Sequence, residues 1–442
     1  MLAYYFLLAL RSLRRNVGLT VLMIAAIGVG IGASTTMLTI FRAMNADPIP
    51  TKSAQLYAPQ IDALGPGSTD GASTAIGGLP SLLTYTDAVA LMNFRGAKRQ
   101  TPTYATTLAI TPSNSQLHPF EVGARATYSD LFPMFEVPFQ YGGPWSAADD
   151  TGHALVVVLT RELNENLFAG TNSVGRSVRL NNNTYRVAGV LDRWRPVPRF
   201  YDLFGNHRFG KSEEVFLPFT TAIDGHMQTS GAFSCGKGET LESGWEGALR
   251  SGCVWLQFWA ELPSVDDASR YRSFIGDYAA EQHRSGRLAW QPQTGLSDVR
   301  EWLVNAHVVS DEVRILVLVS FGFLLVCLLN AVGLMLAKVM GRARDISVRR
   351  ALGANRRSIF TQCMIEAGVV GLAGGLLGLL LAGLGLLGLR ALFSEQIAAL
   401  SRLDLTDVSL AVLLALTATL TAGLYPTWRA AKVQPAWQLK AQ

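Results

Sequence analysis

Residues 205–212, GNHRFGKS, match the phosphate-loop pattern G-x-x-x-x-G-K-[S/T] at every specified position. In a working phosphate loop a buried strand runs into glycine-rich backbone. Its N–H groups, with the N-terminus of the next helix, cradle the phosphates. The neighbours here lack those parts. Upstream, RPVPRFYDLF carries Pro196 and Pro198; downstream, EEVFLPF is a short apolar run broken by Pro218 and reads as a strand. No apolar run ending in Asp stands ready for Mg²⁺. The segment is expected to be a glycine-rich surface loop that binds no nucleotide.

The other reactive residue types form no catalytic set. None of the six histidines falls in His-x-x-x-His or His-Glu-x-x-His, and no Gly-x-Ser-x-Gly elbow occurs. No catalytic residue, metal ligand or bound cofactor is expected of this chain. Cys327 and Cys363 fall in or beside apolar stretches and read as packing residues. Cys235 and Cys253 bracket GKGETLESGWEGALRSG, rich in glycine and poor in apolar residues. An even pair in an oxidising compartment is expected to close a disulfide; a metal pair is the alternative, but no His or second Cys pair lies near.

The composition points to a membrane. Charged residues make up 16% of the chain, against about 25% in an average globular protein, and mean hydropathy is +0.23. Four windows carry no charge: Asn16–Phe41, Ile315–Ala337, Ala367–Leu389 and Val408–Trp428. Each reaches the roughly 20 residues that a membrane-spanning helix needs. Basic residues set orientation. Arg11, Arg14 and Arg15 precede the first window, a dense basic run from Lys338 to Arg357 separates the second and third, and Arg429, Lys432 and Lys440 follow the fourth. Both termini and the second loop are therefore expected in the cytoplasm. That bias accounts for the net charge of +5 without nucleic acid, and it puts GNHRFGKS on the side away from ATP.

The expected fold is an α-helical membrane protein with four transmembrane helices and a large extracytoplasmic α/β (α+β) domain between the first and second. Residues 1–15 read as an amphipathic cytoplasmic helix or simply the start of the first span. Transmembrane helices are expected over 16–43, 311–338, 358–392 and 407–428. The extracytoplasmic domain takes 44–310, in two subdomains; a cytoplasmic segment takes 339–357, a short outer loop 393–406 and a cytoplasmic tail 429–442. Within the large domain, 103–110, 153–160 and 253–262 read as strands, 176–191 as a hairpin turning at Asn, and 128–135, 161–168 and 264–283 as helices.

Residues 341–360, GRARDISVRRALGANRRSIF, combine small apolar contacts at Ile346, Val348, Ala351 and Leu352 with charge at Arg344, Asp345, Arg349, Arg350, Arg356 and Arg357. Gly353 can end one helix in the left-handed conformation and Asn355 can start the next. A rigid helix–turn–helix of this kind can dock in a groove of a partner protein. Glu366 lies in the third span, where an ionisable group is a functional candidate; it reaches the interface or pairs with Arg357 or another arginine. Gly371, Gly374, Gly375 and Gly378 form small-x-x-x-small patterns that let helices approach closely, and Asn330 can hydrogen-bond across helices.

Residues 328–392, with the core RDISVRRALGANRRSIFTQ…EA and the glycine-rich helix after it, resemble the MacB-like and FtsX-like permease family of ABC transporters. VVVLTRELNENLFAG…SVGRSVRLNNNTYRVAGVL and YSDLFPMFEVPFQYGG are similar to that family's periplasmic core domain, and GLYPTWRAAKVQPAWQLK to its usual ending. The likeness is weakest over 193–252. It implies a permease in the inner membrane with 344–357 as the ATPase-coupling segment. ATP and Mg would sit on a separate ABC ATPase subunit, since no nucleotide-binding domain is expected in this chain. A second permease chain, the same or different, is implied too. So is mechanotransmission through a stalk, SDVREWLVNAHVVSDEVRI, to export a peptide, antibiotic, siderophore or similar compound, with a periplasmic adaptor and outer-membrane channel as further partners. The alternatives are an FtsX-like mechanical relay controlling a periplasmic enzyme, a lipoprotein-extraction permease, or a membrane-anchored sensor.

Overall fold

The computed structural model describes residues 16–66, 75–112, 118–203, 208–210, 213–236, 242–342, 347–348, 355–392 and 405–431. It divides into two compact units at Asn45/Ala46 and Val308/Val309, the intervening unit being Ala46–Val308.

Helix α1 (Val17–Met44) precedes the intervening unit. That unit opens with β1 (Leu56–Ile61), the small hairpin β2 (Ala75–Ile76) and β3 (Leu79–Pro80), α2 (Tyr85–Phe94) and β4 (Arg99–Thr111). Next come β5 (Phe120–Thr127), α3 (Leu131–Met134), β6 (Phe139–Gly142), α4 (Ala147–Thr151), β7 (Val156–Leu159) and α5 (Arg161–Phe168). The hairpin β8 (Ser177–Leu180) and β9 (Asn183–Leu191) leads to β10 (Val215–Pro218), α6 (Phe219–Asp224) and α7 (Trp245–Arg250). β11 (Gln257–Glu261), α8 (Val265–Arg284), β12 (Thr294–Asp298) and α9 (Val299–Asn305) complete it.

Among the described residues ten strands form one mixed sheet in the order β12-β1-β11-β4-β5-β10-β7-β9-β6, with β8 against β4 and β9. β10 runs parallel to β5 and β7 parallel to β9. Local chemistry sets many of the boundaries. Ser264 and Asp267 form a reciprocal capping box at the start of α8, which satisfies N–H groups a helix start leaves orphaned. Thr84 of α2 and Thr160 of α5 cap one way only, their side chains accepting from the N–H of Asp87 and of Leu163 respectively. Asn181 takes φ 49° between β8 and β9, where Asn tolerates the left-handed region.

The central strands are buried on both faces. Val157 and Leu159 of β7 join the cluster of Tyr104, Leu108, Val122, Tyr185 and Tyr271, while Val156 and Val158 join Phe132, Phe135, Phe200, Phe216, Trp259 and Trp302. Successive side chains of a strand point to opposite faces, so a strand between two cores is apolar at every position. VVVL is such a strand.

The second unit adds α10 (Asp311–Met340), α11 (Arg356–Leu392) and α12 (Leu405–Ala431) to α1. Among the described residues three helices are long and apolar enough to cross a membrane: Val17–Met44, Asp311–Met340 and Arg356–Leu389. The apolar part of α12 is Val412–Trp428, shorter than the other three. The stretch 297–315 is interrupted: α9 ends at Asn305, His307 takes φ 47°, and α10 begins at Asp311. Residues 1–15, 393–404 and 432–442 lie outside the described residues.

Candidate functional site

Lys338, in the last turn of α10, touches Oε1 of Glu366 on α11, and Arg342 Nη1 lies 3.5 Å from the same oxygen. The side chains of Lys338 and Glu366 are 4% and 9% exposed. Of the partners expected for Glu366, it is another arginine, Arg342, and not Arg357, that lies beside it. Arg357 sits nine residues earlier on the same helix, which at about 1.5 Å of rise per residue is beyond reach of a side-chain pair. The cations come from the neighbouring helix instead. Lys338 reads in the sequence only as one more positive charge beside a span.

This cluster ties together the two helices that bracket 343–355. Arg356 and Arg357 open α11 and are exposed. Asn355 Oδ1 accepts from the Arg357 N–H at 3.4 Å, meeting one orphan donor of the helix start. Val348 is exposed and Ser347 buried. Arg344, Asp345, Ile346, Arg349, Arg350, Ala351, Leu352 and Gly353 lie outside the described residues.

The glycines of α11 sit where neighbouring helices press closest. A Cβ at Gly374 would fall 2.7 Å from Ile27 Cγ2, and one at Gly378 would fall 2.8 Å from Ile31 Cγ2 and 3.1 Å from the Gly28 carbonyl oxygen. On another side, a Cβ at Gly375 would lie 2.8 Å from Ala415 Cβ, and one at Gly371 would strike Thr419. So α11 runs between α1 and α12 with almost no side-chain spacer, as small residues allow. Ser34 Oγ donates to the Ser320 carbonyl at 2.9 Å and links α1 to α10. Asn330 makes no such link. It is exposed on α10, because Cys327 and Ala331 take the inward positions and the next residue round a helix points about 100° away.

In the intervening unit Cys235 and Cys253 are joined in a disulfide. Beside the β4–β5–β10–β11 centre of the sheet lies an ion network that the sequence does not advertise. Arg125, fully buried on β5, donates to Glu213 Oε1 at 2.8 Å, to Asp202 Oδ2 at 2.5 Å and to Gln257 Oε1 at 2.7 Å. Arg199 donates to the same Glu213 oxygen at 2.6 Å. Burial pushes the Glu213 carboxyl up, but Arg125 and Arg199 outweigh it and hold the group below its ordinary range. The guanidinium of Arg125 also lies 4.8 Å above the Tyr201 ring. Together these contacts pin 199–202 and 213 to the sheet. The phosphate-loop match falls in the stretch they bracket. Of it, 208–210 are described and Gly205, Lys211 and Ser212 lie outside the described residues. The element that follows is the strand β10, where a phosphate loop requires a helix.

A second buried carboxylate, Glu261 at the end of β11, is met by Lys98 at 2.9 Å, Arg99 at 2.9 Å and Lys52 at 3.5 Å. Burial raises its pKa, but these cations prevail and lower it. Lys52 also donates to the Pro133 carbonyl at 2.7 Å. Both networks hold loops to strands by charge.

The sequence profile of the MacB-like periplasmic core domain matches residues 20–270, and that of the FtsX-like permease C-terminal matches residues 317–435. A macrolide export ATP-binding/permease protein MacB of Azoarcus sp. (strain BH72) is 26% identical over 98% of this chain and 59% of its own length. A protein of the same name from Syntrophobacter fumaroxidans is 24% identical over 97% of this chain and 62% of its own length. The chain thus spans less than two thirds of these curated relatives. Among solved structures, the periplasmic region of MacB from Actinobacillus actinomycetemcomitans aligns with a TM-score of 0.37 at 12% identity, covering 58% of this chain and 94% of that one. With one profile matching more than half of the chain and the second covering its C-terminal helices, the chain belongs to the MacB-like, FtsX-like permease family of ABC transporters.

Proposed function

We propose that the chain is the permease subunit of an inner-membrane ABC transporter. ATP and Mg bind to a separate ATPase chain, which docks on residues 344–357. The observation that carries this reading is the Lys338–Glu366–Arg342 cluster, which ties α10 to α11 on either side of that arginine-rich segment. A push on 343–355 then reaches both helices together. In this reading α12 is the fourth span, both termini are cytoplasmic, Ala46–Val308 is periplasmic, and two permease chains work as a pair. Movement of the helices is passed to the periplasmic unit, which moves cargo taken up outside the cytoplasm. The relatives named for macrolide export favour a small-molecule or peptide cargo, with a periplasmic adaptor and outer-membrane channel as further partners.

Affinity purification of the full chain from native membranes, with mass spectrometry of what accompanies it, tests the assignment. An ABC ATPase with an adaptor supports export. An ATPase with a periplasmic hydrolase supports the relay reading, and no ATPase overturns both. With the ATPase in hand, Arg349→Glu with Arg350→Glu should abolish coupled hydrolysis while leaving the chain folded. Lys211→Ala should leave hydrolysis unchanged.

A further inference from the structure

We propose that the cavity between β4, the β8–β9 turn and residues 225–230 binds an uncharged saccharide bearing an acetamido group. The inference goes beyond the permease reading and does not depend on it, because the residues that line the cavity all belong to Ala46–Val308.

The cavity measures about 330 Å³, within the usual range of small-molecule sites. It exists because the partners of β4 leave a gap. One edge of β4 is paired with β5 from Thr103 to Ile110. On the other edge β11 covers Arg99–Thr103, and β8 covers only Ile110 and Thr111. Residues 104–109 therefore have no strand on that edge, and two segments close it from either end. The Ser230 N–H donates to the Ala105 carbonyl at 2.9 Å, and Thr106 Oγ1 donates to the Gln228 carbonyl at 2.7 Å. The Asn181 N–H donates to the Ala109 carbonyl at 2.7 Å, and Asn181 Oδ1 accepts from the Ala109 N–H at 2.9 Å.

Alternate residues of a strand direct their N–H and C=O to the same edge. Ala105 and Ala109 turn theirs to this gap, so Thr107, exposed between them, does too. No hydrogen bond to the Thr107 backbone on that edge is found among the described residues. One donor and one acceptor of an otherwise paired strand thus open into the cavity. That pair matches an amide, which carries one of each. An added peptide strand would need a run of such positions, and Ser230 and Asn181 stop the run at one residue. The rest of the wall fits a sugar. Asn181, Gln228, Thr229 and Ser230 offer carboxamides and hydroxyls. His226, its ring stacked on Trp245 at 5.9 Å, makes another side. No Asp, Glu, Lys or Arg is among the described residues that line the cavity, so a charged ligand would enter without a counter-charge.

The test is a saturation-transfer NMR titration of the full-length chain in lipid nanodiscs, which avoids sugar-headed detergents. The probe is N,N′-diacetylchitobiose. The control is cellobiose, which has hydroxyls in place of the acetamido groups. Diacetylchitobiose should bind, and cellobiose should bind about tenfold more weakly, the worth of two hydrogen bonds. Asn181→Asp keeps the oxygen that Ala109 needs and removes the amide donors; Gln228→Glu makes the same exchange on the other wall. Each should weaken diacetylchitobiose about fivefold with thermal unfolding unchanged. Thr107→Pro removes the N–H that faces the gap and should abolish binding; where it unfolds the chain, the two side-chain variants decide. The proposal is overturned if diacetylchitobiose shows no transfer at millimolar concentration, if cellobiose binds as well, or if neither side-chain variant weakens binding. Tighter binding of N-acetyl-trialanine methylamide than of the sugar overturns it too. Each outcome is independent of whether an ATPase co-purifies, so failure here leaves the permease reading to its own test.

Discussion

Lys338 of α10 and Glu366 of α11 form a buried ion pair, and Arg342 shares the same carboxylate oxygen at 3.5 Å. One acid therefore serves two cations, and the cluster is asymmetric. Glu366→Leu takes from the buried Lys338 the carboxylate it touches, whereas Lys338→Met leaves Glu366 with Arg342. Breaking a buried pair from one side costs about 3–5 kcal/mol. Glu366→Leu should fall in that range and Lys338→Met well below it, read as thermal unfolding of the chain in detergent. Equal losses would count against a shared carboxylate.

The Arg125–Glu213 contact predicts an acid limb. The Glu213 carboxyl is held below its ordinary value of 4.5 by Arg125 and Arg199 against the pull of burial. A depressed carboxylate contributes stability that is complete above the unfolded pKa and is lost as pH falls through the folded value. Unfolding followed by tryptophan fluorescence should therefore steepen below about pH 4.5. Glu213→Gln should be less stable at neutral pH and show a flatter acid limb; an unchanged limb sinks the assignment.

The Cys235–Cys253 disulfide closes a loop with a sequence separation of 18. Loops of that size are worth about 3 kcal/mol through the restricted unfolded chain. Reductant, or Cys253→Ser, should lower the unfolding temperature of the tryptophan-rich intervening unit. No shift on reduction would mean that its packing alone holds 235–253.

Two glycines of α11 should respond in opposite ways. Gly378→Val would drive a methyl-bearing carbon to 2.8 Å from Ile31 Cγ2 and 3.1 Å from backbone oxygen, and backbone cannot step aside. A loss of about 1–3 kcal/mol is expected from overpacking. Gly383 has open space around it, so Gly383→Ala should be neutral or gain up to about 1 kcal/mol of helix propensity. Thermal unfolding of the two variants side by side decides this; equal behaviour would mean that α11 does not pack as described.

How legible these features are in the sequence depends on how far apart their parts lie. The start of α8, the β8–β9 turn and the doubly buried β7 each rest on residues within a few positions of one another: Ser264 with Asp267, Asn181, and VVVL. Pattern reading finds them. β1, LYAPQI, carries Pro59 and shows no clean alternation; its strand state comes from pairing with β11 and β12. Nothing within FEVGARAT marks Arg125 as buried. It is buried because its acceptors arrive from 77, 88 and 132 positions away. The same holds for Lys338 and Glu366: each is visible alone, but their meeting depends on how α10 lies against α11. Helices of uniform apolarity carry little periodic signal to show which face turns inward. Asn330 therefore reads as a cross-helix donor with no sign of which way it faces, and it is exposed on α10.

The outer strands of the sheet carry a mechanical consequence. β1 and β12 are antiparallel, with Tyr57 opposite Asp298 and Ile61 opposite Thr294, so the chain enters β1 and leaves β12 at the same end of the ladder. A pull that separates those two ends breaks the rungs one after another, starting at Tyr57–Asp298, and never loads them all in parallel. β4, β5 and β11 are held by ladders of their own, which this load does not enter first. Under such a load the β1–β12 ladder works as a zip-fastener, one rung at a time.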